Sequence, residues 1–339
     1  MVLEILIPVG RLFLATILGF AVFKIDAVRR ALLKPVVFLF VNVVFPFYFV
    51  DTLPRQWADG IAAGWIWMLA FFIAYLVFLA VQYGIAKLLI NRLRLLRSNH
   101  PEELLVLFCM HNAGYIPIPI IAAVAPPAVS VYMSFYVMAF ILSFFTLAVW
   151  IIQGAAEVRV ARDADDTDTE GAPDAAATRP KFKLNAPVVG ILAGLILAAT
   201  GLYDRLPTWV QAPFRGASFI ALDGIMVVLG GVLASIPGMN YRSEFGGLVL
   251  VKMVLFPLAV LGLMALIPLR GVSAEVSAGI KLAMVLEAAV PPATNILVIT
   301  KAYGTEEQVE YAGSAIITTY AAGLILMPAF LIASRLVFG

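Results

Sequence analysis

His111-Asn112-Ala113-Gly114-Tyr115-Ile116-Pro117-Ile118-Pro119 interrupts an apolar run long enough to cross a bilayer, and Glu287-Ala288-Ala289-Val290-Pro291-Pro292-Ala293-Thr294-Asn295 interrupts another in the matching place of the second half. Proline lacks the backbone N–H and clashes with the preceding turn, so each helix is expected to unwind there. In lipid, unwound backbone survives only where protein buries it or where it lines a cavity. Two such breaks at corresponding positions of two halves point to the binding site of a secondary transporter.

The composition around these segments is that of a polytopic membrane protein. Of the 339 residues 63% are hydrophobic and 13% charged, with a mean hydropathy of +1.00. A soluble domain carries roughly a quarter charged residues. A net charge of +2 gives no argument for nucleic acid. The single cysteine, Cys109, excludes an intramolecular disulfide and reads as a small hydrophobe. Two histidines and one cysteine cannot build a structural zinc site, and no cofactor is expected. The first apolar stretch lacks a basic leader and a small-x-small cleavage site and reads as a retained helix.

Apolar runs of about 20 residues mark spans. Ten are expected, at roughly 3–24, 31–51, 65–89, 102–124, 128–152, 186–203, 214–236, 246–268, 277–300 and 310–336. Residues 153–185 are polar, acidic in the middle and basic at both flanks, which predicts a solvated, disordered linker. The chain thus divides into a first five-helix repeat (1–152), the linker (153–185) and a second five-helix repeat (186–339). Lys24, Arg29, Arg30, Lys34, Lys87, Arg92, Arg94, Arg97, Arg159, Arg162, Arg179, Lys181, Lys183, Arg242 and Lys301 fall on one side of this scheme. Only Arg55, Arg205, Arg215, Arg270 and Arg335 fall on the other. The positive-inside bias places the linker in the cytoplasm and both termini outside. An odd number of helices per half inverts the second repeat relative to the first. The starts of spans 1, 3 and 5 precede those of spans 6, 8 and 10 by about 181 to 183 residues, a spacing suggestive of duplication.

At 1.5 Å per residue, Asn42, His111, Asn112, Asp223 and Glu287 all sit about 13–15 Å deep, near the middle of a ~30 Å core. Polar groups at the midplane mark a substrate, ion or proton path by default. Asp223 and Glu287 are the candidate proton or cation sites, with His111 and Asn42 as coupling or supporting groups. The alternative for either carboxyl is a permanently protonated group, or one paired with Lys252, Lys281 or Arg11. His111 bonded to a backbone carbonyl is the alternative to a titrating histidine. Asn112 and Asn295 can satisfy backbone freed by the breaks or donate to a bound carboxylate. Pro117, Pro119, Pro291 and Pro292 set conformation. The half-helices after the breaks begin with unpaired N–H groups, which suit an anion. Lys252 and Lys281 are expected to snorkel to the interface, and Trp65, Trp67 and Trp209 to form interfacial belts.

At these residues the chain resembles the auxin efflux carrier family. The resemblance rests on Asn112, Gly114 and Pro119 in span 4, on Ala288, Ala289, Pro291, Asn295, Tyr303 and Gly304 in the second half, and on the Asn185-Ala186-Pro187 opening of span 6. It implies ten helices in two inverted five-helix repeats, a scaffold and a moving transport unit, with broken helices 4 and 9 crossing at the substrate site. The implied site is Asn112, Gly114, Pro117, Pro119, Pro291, Pro292 and Asn295. The implied activity is export or exchange of a small organic anion, an auxin-like acid or a dicarboxylate. His111, where a small residue is common, and the second proline, Pro117, depart from the family pattern, so the substrate does not carry over.

The leading expectation is therefore a secondary transporter of a small organic anion working by alternating access. A proton- or sodium-coupled cation antiporter is the competing reading. An intramembrane enzyme is disfavoured, because no HExxH or GxSxG motif is present. The short linker and the lack of an organellar presequence favour a bacterial inner membrane. A homodimer is compatible with this scheme.

Overall fold

Long runs of Leu, Ile, Val, Phe and Ala that have no water to bond must close their backbone hydrogen bonds locally, as helix. The computed structural model describes residues 2–93, 95–114, 116–165, 186–235 and 240–339. Arg94, Tyr115, the linker beyond residue 165 and Asn185 lie outside them. In chain order the helices begin with α1 (Val2–Phe23) and α2 (Asp26–Leu39), which passes through a π-helical turn, Phe40–Val44, into α3 (Phe45–Ala63). Next come α4 (Trp65–Lys87), prolonged by the π turn Leu88–Arg92, and the short pair α5 (Pro101–Cys109) and α6 (Pro117–Val124). α7 (Pro127–Ser143) runs through the π turn Phe144–Ala148 into α8 (Val149–Asp165). The second half holds α9 (Ala186–Thr200), α10 (Thr208–Ala234), and α11 (Ser243–Leu248), which continues through the π turn Val249–Leu255 into α12 (Phe256–Leu266). It closes with α13 (Ala274–Ala289), α14 (Asn295–Tyr303) and α15 (Glu306–Phe338).

Among the described residues five helices are long and apolar enough to cross a membrane: Asp26–Arg55, Trp65–Arg92, Pro127–Glu157, Ser243–Leu266 and Glu306–Phe338. A sixth is Thr208–Ala221 taken with Asp223–Ala234. The linker boundary expected at residue 152 is corrected, since α8 continues to Asp165. Ala155, Ala156, Glu157, Arg159, Ala161 and Arg162 are strong helix formers and carry the last turns of span 5 onward. Two π turns directly precede prolines near helix starts, Pro46 and Pro257. A residue without an N–H cannot close the regular ladder, and the wider turn absorbs the defect.

The helices sort into two packed groups. α1 lies along α10, and α3 lies along both α9 and α10. In the other group α4 packs on α5 and α7, α13 on α12 and α15, α5 on α8 and α15, and α14 on α8 and α15. The groups meet where α1 touches α6, α3 touches α7, and α10 touches α14. Glycines hold the first group together. A Cβ added at Gly190 or Gly194, one turn apart on α9, would run into the backbone of Pro46 or Phe49 on α3. Gly19 and Gly230 do the same for α1 and α10, against Val227 and Thr16. Between apolar helices in lipid, such close backbone approach replaces the hydrophobic effect as the source of association. Gly190→Leu is expected to destabilise the fold by at least about 1–3 kcal/mol, the usual range for overpacking. Gly262→Leu, with open space at its Cα, should melt like the wild type in detergent. Equal melting of the two variants would remove this account of the α3–α9 contact.

Candidate transport site

Each break follows from its prolines. Pro117 and Pro119 cannot donate to the carbonyls four residues back, at positions 113 and 115, so no helix runs through this stretch: α5 has ended at Cys109 and a new helix starts at Pro117. Pro291 and Pro292 stop α13 at Ala289, and α14 restarts at Asn295. Both unwound segments are buried, and their free backbone groups must find partners. They find each other. His111 and Pro292 form an isolated antiparallel bridge. The Asn112 N–H donates to the Pro291 carbonyl at 2.9 Å, and the Ala293 N–H to the Met110 carbonyl at 2.7 Å.

Side chains extend this pairing. The Asn112 amide Nδ2 donates to the Tyr320 hydroxyl of α15 at 2.7 Å. His111 is fully buried, with Nε2 2.8 Å from the Tyr136 hydroxyl and 3.4 Å from Glu287 Oε2. The Tyr75 ring lies 5.8 Å and the Phe140 ring 6.4 Å from the imidazole, centroid to centroid. Glu287 is also fully buried, and neither of its oxygens has a hydrogen-bond partner among the described residues. Asn295 opens α14 and is buried beside Thr294. The structure therefore brings together His111, Asn112, Pro291, Pro292 and Glu287, with Asn295 at the start of the following half-helix.

Gly114 lies next to them and faces α7, where an added Cβ would stand 3.4 Å from Val137 Cγ1. Pro117 is buried at the start of α6, and Pro119 occupies the first turn of the same helix. A cavity of about 20 Å³ lies just beyond, at the seam between the two helix groups. Tyr48, Phe49 and Ile191 line it from one group, and Ile118, Ser134 and Val137 from the other. It has room for about one water molecule.

Two expected site residues lie elsewhere. Asn42 is exposed, and its amide donates at 3.0 Å to the Phe38 carbonyl of its own helix. Asp223 forms an ion pair with Arg11 that ties α10 to α1, with the side chains 40% and 72% exposed. Neither makes a hydrogen bond or ion pair with the paired breaks among the described residues. Asp223 thus takes the third of its expected partners, and Arg11 acquires a role.

Lys252 corrects the snorkelling expectation. It is fully buried, and its Nζ donates to the Phe108 carbonyl at 2.7 Å and to Gln82 Oε1 at 3.3 Å. Counting residues from a helix end measures depth but not which way the side chain faces. Tyr75, Tyr136 and Tyr320 were equally invisible, because a buried tyrosine and a belt tyrosine read alike in a hydrophobic run. Among the described residues, no group of three or more His, Cys, Asp or Glu is placed to hold a metal.

A family model described as "Membrane transport protein" matches residues 4–331. The chain belongs to this family, that of the auxin efflux carriers. No curated protein matches it. The family match and the apolar helices together make it a multi-pass membrane transporter of the auxin efflux carrier type, working on a substrate in a lipid bilayer. As in the sequence expectation, the family is one of transporters rather than enzymes.

Proposed function

We propose that the chain is a secondary transporter of a small organic anion, working by efflux or exchange through alternating access. The observation that carries this is the backbone pairing of two proline breaks in a buried, polar-lined position. The N-terminal ends of α6 and α14 would face the anion, with Asn112 and Asn295 as its side-chain donors. Gly114, Pro117, Pro119, Pro291 and Pro292 would shape the site. His111 and Glu287 would couple or support transport, and Asp223 and Asn42 would act from the neighbouring helix group.

Ten spans in two inverted five-helix repeats fit the reciprocal packing. α1 lies on α10 as α9 lies on α3, and α5 meets α15 as α13 meets α7. This is what a two-fold relation between the halves produces. The group containing α1, α3, α9 and α10 would be the scaffold and the other the moving unit. A seam cavity that holds one water cannot hold a carboxylate ion, so entry requires the groups to shift against each other. In this reading the termini lie outside and the linker lies in the cytoplasm of a bacterial cell, and a homodimer is compatible with it. The fully buried Glu287–His111 pair favours proton coupling, and a proton- or sodium-coupled cation antiporter is the second reading.

Currents from purified protein in liposomes on a solid support test both. Jumps in malate, malonate, succinate, lactate, indole-3-acetate or Na⁺ would be applied at two pH values. A carboxylate-evoked current that vanishes in Asn295→Ala is expected. Current from Na⁺ or pH jumps alone would favour the antiporter.

A further inference from the structure

Lys252 is a buried lysine with no ion pair among the described residues. A lone ammonium in an apolar interior is costly unless oxygens replace its water. Two do so here, the Phe108 carbonyl and Gln82 Oε1, at 2.7 and 3.3 Å. Their origin is informative. Phe108 is in the last turn of α5, where unwinding leaves carbonyls without intrahelical donors and the helix dipole ends negative. Two other carbonyls nearby are taken by backbone: Val106 accepts from the Met110 N–H and Met110 from the Ala293 N–H. Phe108 accepts from Lys252. Gln82 is fully buried on α4, and its Nε2 has no hydrogen-bond partner among the described residues. Its amide is turned so that the oxygen meets the ammonium while the donor is left unused. Lys252 itself stands in the π turn Val249–Leu255 ahead of Pro257, a local widening of the helix.

Half-helix C-terminal ends and unwound carbonyls at the membrane midplane are where transporters hold a coupling cation. We propose that Lys252 is a tethered counter-cation: its ammonium fills the oxygen-lined position at the end of α5, so the paired breaks assemble without a bound alkali ion. The transport meaning of this rests on the proposed function, but the position of the ammonium does not.

The test is thermal unfolding of the full chain in detergent at constant ionic strength, in the chlorides of Na⁺, Li⁺, K⁺, methylammonium and choline. The wild type is expected to melt at one temperature in all five. Lys252→Ala empties the position, so it should melt lower in choline and regain at least about 2 °C in methylammonium or Na⁺. Lys252→Arg keeps a charge and should remain indifferent to the cation. A Lys252→Ala protein as stable in choline as the wild type overturns the proposal, as does one equally destabilised in every salt. A wild type stabilised by Na⁺ also overturns it. If Lys252→Ala folds only when purified in methylammonium or Na⁺, the proposal stands, and failure in every salt removes it. Chloride is the same in every arm and no carboxylate enters this readout. Loss of the tethered-cation proposal and loss of the anion-carrier reading are therefore separate outcomes.

Discussion

Asn112→Ala is expected to lower carboxylate-evoked current about 10- to 100-fold, because a hydrogen bond to a charged group is worth about 1.5–3 kcal/mol and each 1.4 kcal/mol is tenfold. Asn112 sits on the first break, and its own N–H is already committed to the Pro291 carbonyl. Recognition would fall to its side-chain amide, which the Tyr320 hydroxyl orients at 2.7 Å. Tyr320→Phe keeps the amide but frees its orientation, so a smaller loss is expected there. Because the backbone bridge does not involve the amide, both variants should melt close to the wild type. Wild-type currents with unchanged apparent affinity in Asn112→Ala would remove this residue from the site. A large drop in melting temperature would instead assign it to holding α15 against the break.

The second large effect is expected at Glu287. Its carboxyl faces His111 Nε2 at 3.4 Å, and no hydrogen bond satisfies either oxygen among the described residues. A group so placed can exchange a proton only with the imidazole, the Tyr136 hydroxyl beyond it, or water admitted when the site opens. Glu287→Gln keeps the volume and removes the exchangeable proton. Substrate-evoked current is expected to persist in this variant while its dependence on pH disappears. An unchanged pH profile would sink the coupling role. The pair can also be weighed by stability. His111→Ala, Glu287→Ala and the double variant should show a coupling energy of about 1 kcal/mol or more, since groups in contact do not add independently. Strict additivity of the three melting shifts would mean that the contact is packing and nothing else.

Sequence alone was enough for the class of the protein and for the two breaks. Membrane insertion is a bulk property of composition, and proline acts on its own helix whatever surrounds it. Pro117, Pro119, Pro291 and Pro292 therefore announced where backbone would come free. Asn112, Asn295, His111 and Glu287 stood beside them as the polar residues within reach. The pairing of the breaks could not be derived from the chain. It depends on segments roughly 180 residues apart meeting at one depth, and the family resemblance rather than residue spacing suggested it.

Which polar residues face the site was the other question left to folding. Asn42, Asp223 and Lys252 all lie at membrane depth, and hydropathy treats them alike. Rotation of each helix about its own axis separated them: Asn42 bonds within its helix, Asp223 turns to Arg11, and Lys252 turns inward to the end of α5. For the helices of Asn42 and Asp223 that rotation goes with close packing, of Gly190 and Gly194 against α3 and of Gly19 and Gly230 between α1 and α10. A hydropathy pattern reports how deep a residue lies. Only contact between helices decides what it touches.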